Sequence, residues 1–200
     1  AEFKKIGLQT EDNSGSYLQT FSLVRPKFIS ASGTFDGSSL EQKNIIAVTC
    51  LPELTINQTS GYEITAIKPG DDLMKMASGF INAKRNLLVL VDKSFVSNFS
   101  RLARFKMSVF KTGKNVLFVL ADTIPAVYSI EVKHSITEQQ MANVVGVIPG
   151  KSKKDEYVIF SGHYDHIGVG KAVNGDSIFN GANDDAAGTT AVIMLANYFA

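Results

Sequence analysis

Cysteine is almost missing from this chain of 200 residues. Cys50 stands alone, so no disulfide can form within the chain. It sits in the apolar run IIAVTCL, where a small buried side chain is expected rather than a reactive thiol. An excess of charge is missing as well. Lys and Arg total 20 against 19 Asp and Glu, a near-neutral balance that favours neither nucleic acid nor an anionic membrane as partner. No apolar run approaches the ~20 residues needed to span a bilayer. Internal repeats, low-complexity tracts and a signal peptide are not visible.

What is present suits a folded α/β chain, with 44% hydrophobic and 20% charged residues. The opening Ala1–Leu8 reads as the tail of a helix ending near Gly7, with the expectation that residues upstream were removed. YLQTFSLVR (17–25) predicts a strand closed by Pro26, and the Ser- and Gly-rich stretch from about Phe28 to Ser39 predicts a loop or linker. NIIAVTCL (44–51), NLLVLVD (86–92) and NVLFVLAD (115–122) predict buried strands. Between the last two, Ser94 is placed to cap a helix from Phe95 to about Phe110, with an apolar stripe of Phe95, Phe99, Leu102 and Phe105 or Val109. Strand, helix, strand is the pattern of a parallel βαβ unit. The Lys and Arg residues around that helix read as a solvated outer face.

From residue 127 the pattern changes. VYSIEVKHSI alternates apolar and polar residues, so a half-exposed strand is expected, with His134 as a surface or half-buried member. YVIFSGHYDH (157–166) predicts a further apolar strand, 167–185 a loop, and Ala186–Ala200 a helix apolar on nearly every side and therefore buried.

Two stretches carry chemistry. In FSGHYDH, His163 and Asp165 are two apart, so on a strand they share a face. An imidazole that binds a metal through one nitrogen usually has its other N–H held by an oxygen acceptor, which Asp165 can supply. In GANDDAAG, Asp184 and Asp185 stand among small residues just before a helix. A helix cap accounts for one of these acids. Small neighbours also leave room for a carboxylate to bridge two cations.

The ordered run NVVGVIPG, a charged loop, DEYVIFSGHYDHIG and NGANDDAAGTTAVIMLA resembles the first half of the catalytic domain of the co-catalytic di-zinc exopeptidases. That family includes secreted leucine-type aminopeptidases and glutamate carboxypeptidases, with glutaminyl cyclases and the transferrin receptor as non-peptidase relatives. The resemblance covers roughly residues 130–200. It implies an α/β fold: the first half of a mixed-sheet zinc-exopeptidase catalytic domain, interrupted by an inserted α/β, protease-associated-like region. The corresponding domains are 1–27, the inserted region 28–126, and 127–200.

By the same resemblance, His163 is a ligand of one zinc ion and Asp184 the carboxylate that bridges two. Asp165 orients His163, His166 is not a ligand, and the Asp184–Asp185 peptide is a candidate cis bond. The implied protein is a zinc aminopeptidase acting on peptides outside the cytoplasm. The general-base Glu and the remaining ligands are expected beyond residue 200, so the chain as it stands is expected to bind zinc poorly and to be inactive. Two other readings stay open: a non-catalytic interaction domain with the peptidase fold, and a glutaminyl-cyclase-like acyltransferase.

Overall fold

The structure is a computed structural model, and it describes residues 2–12 and 14–200. In chain order its elements are helix α1 (Glu2–Ile6), strands β1 (Leu18–Phe35), β2 (Ser38–Ser39), β3 (Ile45–Val48), β4 (Glu53–Asn57) and β5 (Glu63–Ile67), and helix α2 (Leu73–Asn82). There follow β6 (Leu87–Val91), β7 (Val109–Phe110), β8 (Val116–Leu120), β9 (Tyr128–Val144), β10 (Gly168–Val173), β11 (Asp176–Phe179) and helix α3 (Ala187–Phe199). The class is mixed α/β with several sheets. The chain divides into two compact units, one running from Thr20 to Met141, the other combining the residues up to Gln19 with Ala142–Ala200. Of the boundaries expected at 27 and 126, the first falls inside β1.

The unit Thr20–Met141 is layered. One sheet has the order β2-β1-β9-β4, with β7 also paired to β1; the other has the order β3-β8-β6-β5. In the second sheet β5, β6 and β8 are parallel and β3 is antiparallel to β8. Every residue of LLVLV in β6 and VLFVL in β8 is buried. Leu88, Leu90, Leu117 and Val119 pack against Leu54, Ile56, Ile130 and Val132 of the first sheet. Leu87, Val89, Val91 and Phe118 turn the other way, onto Leu73 and Ala77 of α2 and onto Phe99 and Leu102. A strand covered on both faces has no polar side to show, hence these uninterrupted apolar runs. Thr49, Asn115 and His134 are the buried polar residues of this unit among those described; the Thr49 hydroxyl donates to Asn115 Oδ1 at 2.6 Å.

Three expectations for this unit are corrected. First, the strand beginning near residue 17 does not end at Pro26, and Phe28–Ser39 is not a loop: β1 runs to Phe35. β7 pairs with β1 at Leu23 and Val24 and β2 at Thr34 and Phe35. Pro26 lies between these pairings, where a missing N–H need not remove a ladder bond.

Second, the long helix from Phe95 is replaced by two 3₁₀ segments, Lys93–Phe95 and Phe99–Lys106. Asp92, not Ser94, caps the first, accepting the Ser94 N–H at 2.8 Å. Four of the seven residues 94–100 are Ser or Asn, which offer the backbone competing hydrogen bonds. Phe99, Leu102 and Phe105 recur every third residue, the period of a 3₁₀ helix. The helix that does form a βαβ unit is α2, between parallel β5 and β6, with Asp72 accepting the N–H groups of Met74 and Lys75. Third, His134 is fully buried, at 3% exposure.

In the other unit, Gln9 and Val147 form an antiparallel bridge, and the Tyr17 hydroxyl donates to the carbonyl of Leu8. The stretch 167–185, expected as a loop, contains the hairpin β10–β11. Asn174 and Gly175 turn it with φ of 53° and 87°, the left-handed pair that a two-residue hairpin loop needs. Tyr157–His166, expected as a strand, belongs to no ladder among the described residues. Helix α3 forms where expected, yet none of its residues is buried. Among the described residues only α1 is a packing neighbour of substance beyond the turn that leads into it. The apolar composition of α3 shows what it is suited to bury, and its neighbours here do not cover it.

Candidate metal centre

The turn Ala182–Ala186 leads directly into α3, and it brings Asp184 and Asp185 against the extended stretch that carries His163. The Asp184–Asp185 peptide is cis. His163 Nε2 lies 2.9 Å from Asp184 Oδ1. The other ring nitrogen, Nδ1, faces Asp165 Oδ1 at 3.6 Å, just outside hydrogen-bonding range. His166, half-buried, places Nδ1 3.9 Å from the second oxygen of Asp184. The three residues singled out in the sequence, His163, Asp165 and Asp184, are therefore neighbours in space. His134, in the other unit, takes no part.

Both partners of the closest pair are exposed, with side-chain exposures of 51% and 74%. An exposed pair of this kind stabilises a fold by about 1 kcal/mol at most, so stability is a weak reason for its presence. Its chemistry is a better one. An imidazole nitrogen and a carboxylate oxygen are ordinary zinc donors at about 2.0–2.2 Å, and across a tetrahedral ion two such donors stand roughly 3.3 Å apart. The observed 2.9 Å is within a few tenths of an ångström of that separation. The donor pair fits zinc in kind and spacing. It does not complete a site, because a zinc ion takes four ligands. Among the described residues, no group of three or more His, Cys, Asp or Glu side chains is arranged to hold a metal.

Two contacts to His163 are not expected from the sequence. The Asp185 carboxylate accepts the main-chain N–H of His163 at 3.0 Å. The Thr189 hydroxyl donates to the main-chain carbonyl of the same residue at 2.9 Å. Gly162 and Gly188 allow this approach. A Cβ on Gly188 would collide with the carboxylate of Asp185, and one on Gly162 would come within 2.9 Å of the backbone at Gly188 and Thr189. The signal in the sequence was slight: two glycines and a threonine in segments already rich in small residues.

Among known families, residues 143–200 match the one described as Peptidase family M28. The match bears out, over that stretch, the resemblance to the co-catalytic zinc exopeptidases, a family of zinc-dependent metallopeptidases. No curated protein and no solved structure matches the chain. Among the described residues no helix is long and apolar enough to cross a membrane.

Proposed function

Taking the peptidase match over residues 143–200 as the premise, we propose that this chain contributes to the active site of a zinc aminopeptidase that removes N-terminal residues from peptides. The observation that carries the reading is the 2.9 Å approach of His163 Nε2 to Asp184 Oδ1, two exposed metal donors delivered by separate segments. His163 and Asp184 would hold zinc, and the second oxygen of Asp184 allows it to reach a second ion. Zinc, when bound, supplies Lewis acidity toward a scissile carbonyl.

The chain's own residues set the conditions for that chemistry. Asp165 stands on the Nδ1 side of His163 at 3.6 Å; by closing to hydrogen-bonding distance it would hold a proton at Nδ1 and leave the Nε2 lone pair for a metal. The exposure of His163 and Asp184 leaves them open to an incoming peptide. Two donors are too few for tight binding, so other groups must complete the coordination. Residues 28–126, which fall within the unit Thr20–Met141, we read as an inserted, protease-associated-like region, and the site of action as extracytoplasmic.

The test is release of amino acids from peptide anilides by the natural full-length protein, before and after removal of metal with a chelator and again after zinc is restored. Zinc-dependent release from the N-terminus supports the aminopeptidase reading. Cyclisation of N-terminal glutamine without hydrolysis would replace it with the acyltransferase, and zinc-free protein without turnover would replace it with the interaction domain.

A further inference from the structure

We infer that Asp185 and Thr189 are positioning residues: together they clamp the main chain of His163 and thereby set the zinc affinity of the site. The inference rests on the zinc-peptidase reading above and goes beyond it to two residues that are not donors.

The need for a clamp follows from the surroundings of His163. Residues 157–166 belong to no ladder among the described residues, so no sheet fixes the path of the chain there. Among the described residues, two hydrogen bonds hold the backbone over this stretch, and both belong to His163: its N–H donates to Asp185, and its carbonyl accepts from Thr189. A metal ligand has to be held to within a fraction of an ångström to bind well, and its supporting contacts set how well it is held. With both main-chain groups fixed, the imidazole has only its side-chain rotamer left to choose.

Asp185 is not simply a helix cap. Among the described residues no side chain caps α3, and the Asp185 carboxylate makes no hydrogen bond to the helix it precedes. It spends its acceptor on a residue 22 positions earlier. Asp185 lies in the non-helical turn just before α3 and Thr189 in the first turn of α3, and both reach the main chain of His163. The bond from a carboxylate is charge-assisted and among the stronger kinds available to a backbone N–H. Asp185 is also covalently next to Asp184, so the same short segment places one donor directly and holds the other by its backbone. His163 and Asp184 are thus referred to one rigid element, the start of α3. Gly162 and Gly188 lack the side chains that would force the segments apart.

The test uses the natural full-length protein and zinc alone as the probe. Zinc affinity is measured by competition with a chromophoric chelator for Asp185→Ala, Asp185→Asn, Thr189→Val, Thr189→Ser and, as a control, His163→Ala. The backbone amide of His163 is followed in parallel by selective histidine labelling and NMR. Asp185→Ala and Thr189→Val should each weaken zinc binding by about tenfold or more. Asp185→Asn and Thr189→Ser keep an acceptor and a hydroxyl, and should recover most of that loss. The His163 amide resonance should move upfield in Asp185→Ala and hold its place in Thr189→Ser.

A merely structural role would lower the melting temperature without this pattern of rescue. Wild-type zinc affinity in both Asp185→Ala and Thr189→Val, with affinity lost in His163→Ala, overturns the clamp and leaves the peptidase reading standing. Wild-type affinity in His163→Ala overturns the reading, and the clamp with it. If Asp185→Ala does not fold, the Thr189 pair decides alone: equal affinity in Thr189→Val and Thr189→Ser is the contradicting result.

Discussion

His163 Nε2 and Asp184 Oδ1 meet at 2.9 Å although 21 positions separate them and neither lies in a sheet. The contact is made by a short turn leading into α3 and by an extended stretch held against the start of that helix. For a pair so exposed, chemistry explains the meeting better than stability does. Asp184→Ala in the natural full-length protein should therefore abolish hydrolysis of peptide anilides while leaving the circular dichroism spectrum unchanged. Retained turnover would remove Asp184 from the site.

Asp165 stands on the far side of the imidazole, 3.6 Å from Nδ1. If it orients His163, Asp165→Asn should lower metal affinity or rate by about 10–100-fold, the usual effect of changing a partner behind a metal ligand. A chelator competition assay and a rate measurement on the same preparation check this, and an effect below twofold in both would count against the role.

Gly162 has no room for a methyl group. A Cβ there would come within 2.9 Å of the Gly188 carbonyl carbon and the Thr189 nitrogen, both backbone atoms that cannot swing aside. Gly162→Ala should destabilise the unit that carries His163 by about 1–3 kcal/mol, the usual penalty for overpacking, and should loosen zinc binding as well. Urea denaturation gives the first value. A variant as stable as wild type would mean that the two segments approach less closely than the structure has them.

His134 makes a prediction about pH in the other unit. The ring is buried beside Phe28, and neither nitrogen has a hydrogen-bond partner among the described residues. Burial first, and then the charge of Lys106, pushes its pKa down from 6.5 to about 4. The folded state binds the proton more weakly than the unfolded chain, so this contribution is complete above about pH 6.5 and falls away as the pH drops toward 4. The full loss is about 3 kcal/mol. Stability measured across that window should slope downward with acid in the wild type and much less in His134→Leu. Equal slopes would show that His134 does not govern the response.

The strands that the sequence made legible share a physical cause. LLVLV and VLFVL could be read because strands buried on both faces leave an unbroken apolar run. HYDH and GANDDAAG could be read together only through their resemblance to a known family, because a His two residues from an Asp, or an acid before a helix, is common by itself. The path of β1 could not be read past Pro26, since its partner β9 lies about a hundred positions away and a local pattern carries no trace of it. The 95–110 segment has helix-like spacing, but its Ser and Asn residues and three-residue apolar repeat favour 3₁₀ turns. Helix α2 was announced by Asp72 and by Leu73, Ala77 and Phe80, a signal overshadowed by the stronger apolar runs on either side. Asp185 and Thr189 act through the backbone of a distant residue, and a bond of that sort sets no periodicity.

The central claim, that His163 and Asp184 grip one zinc ion together, is tested most directly by zinc bound to the natural full-length protein at equilibrium dialysis, compared with His163→Ala and Asp184→Ala. The account predicts zinc retained by the wild type and lost from each variant with the fold intact. Equal zinc in all three proteins would contradict it.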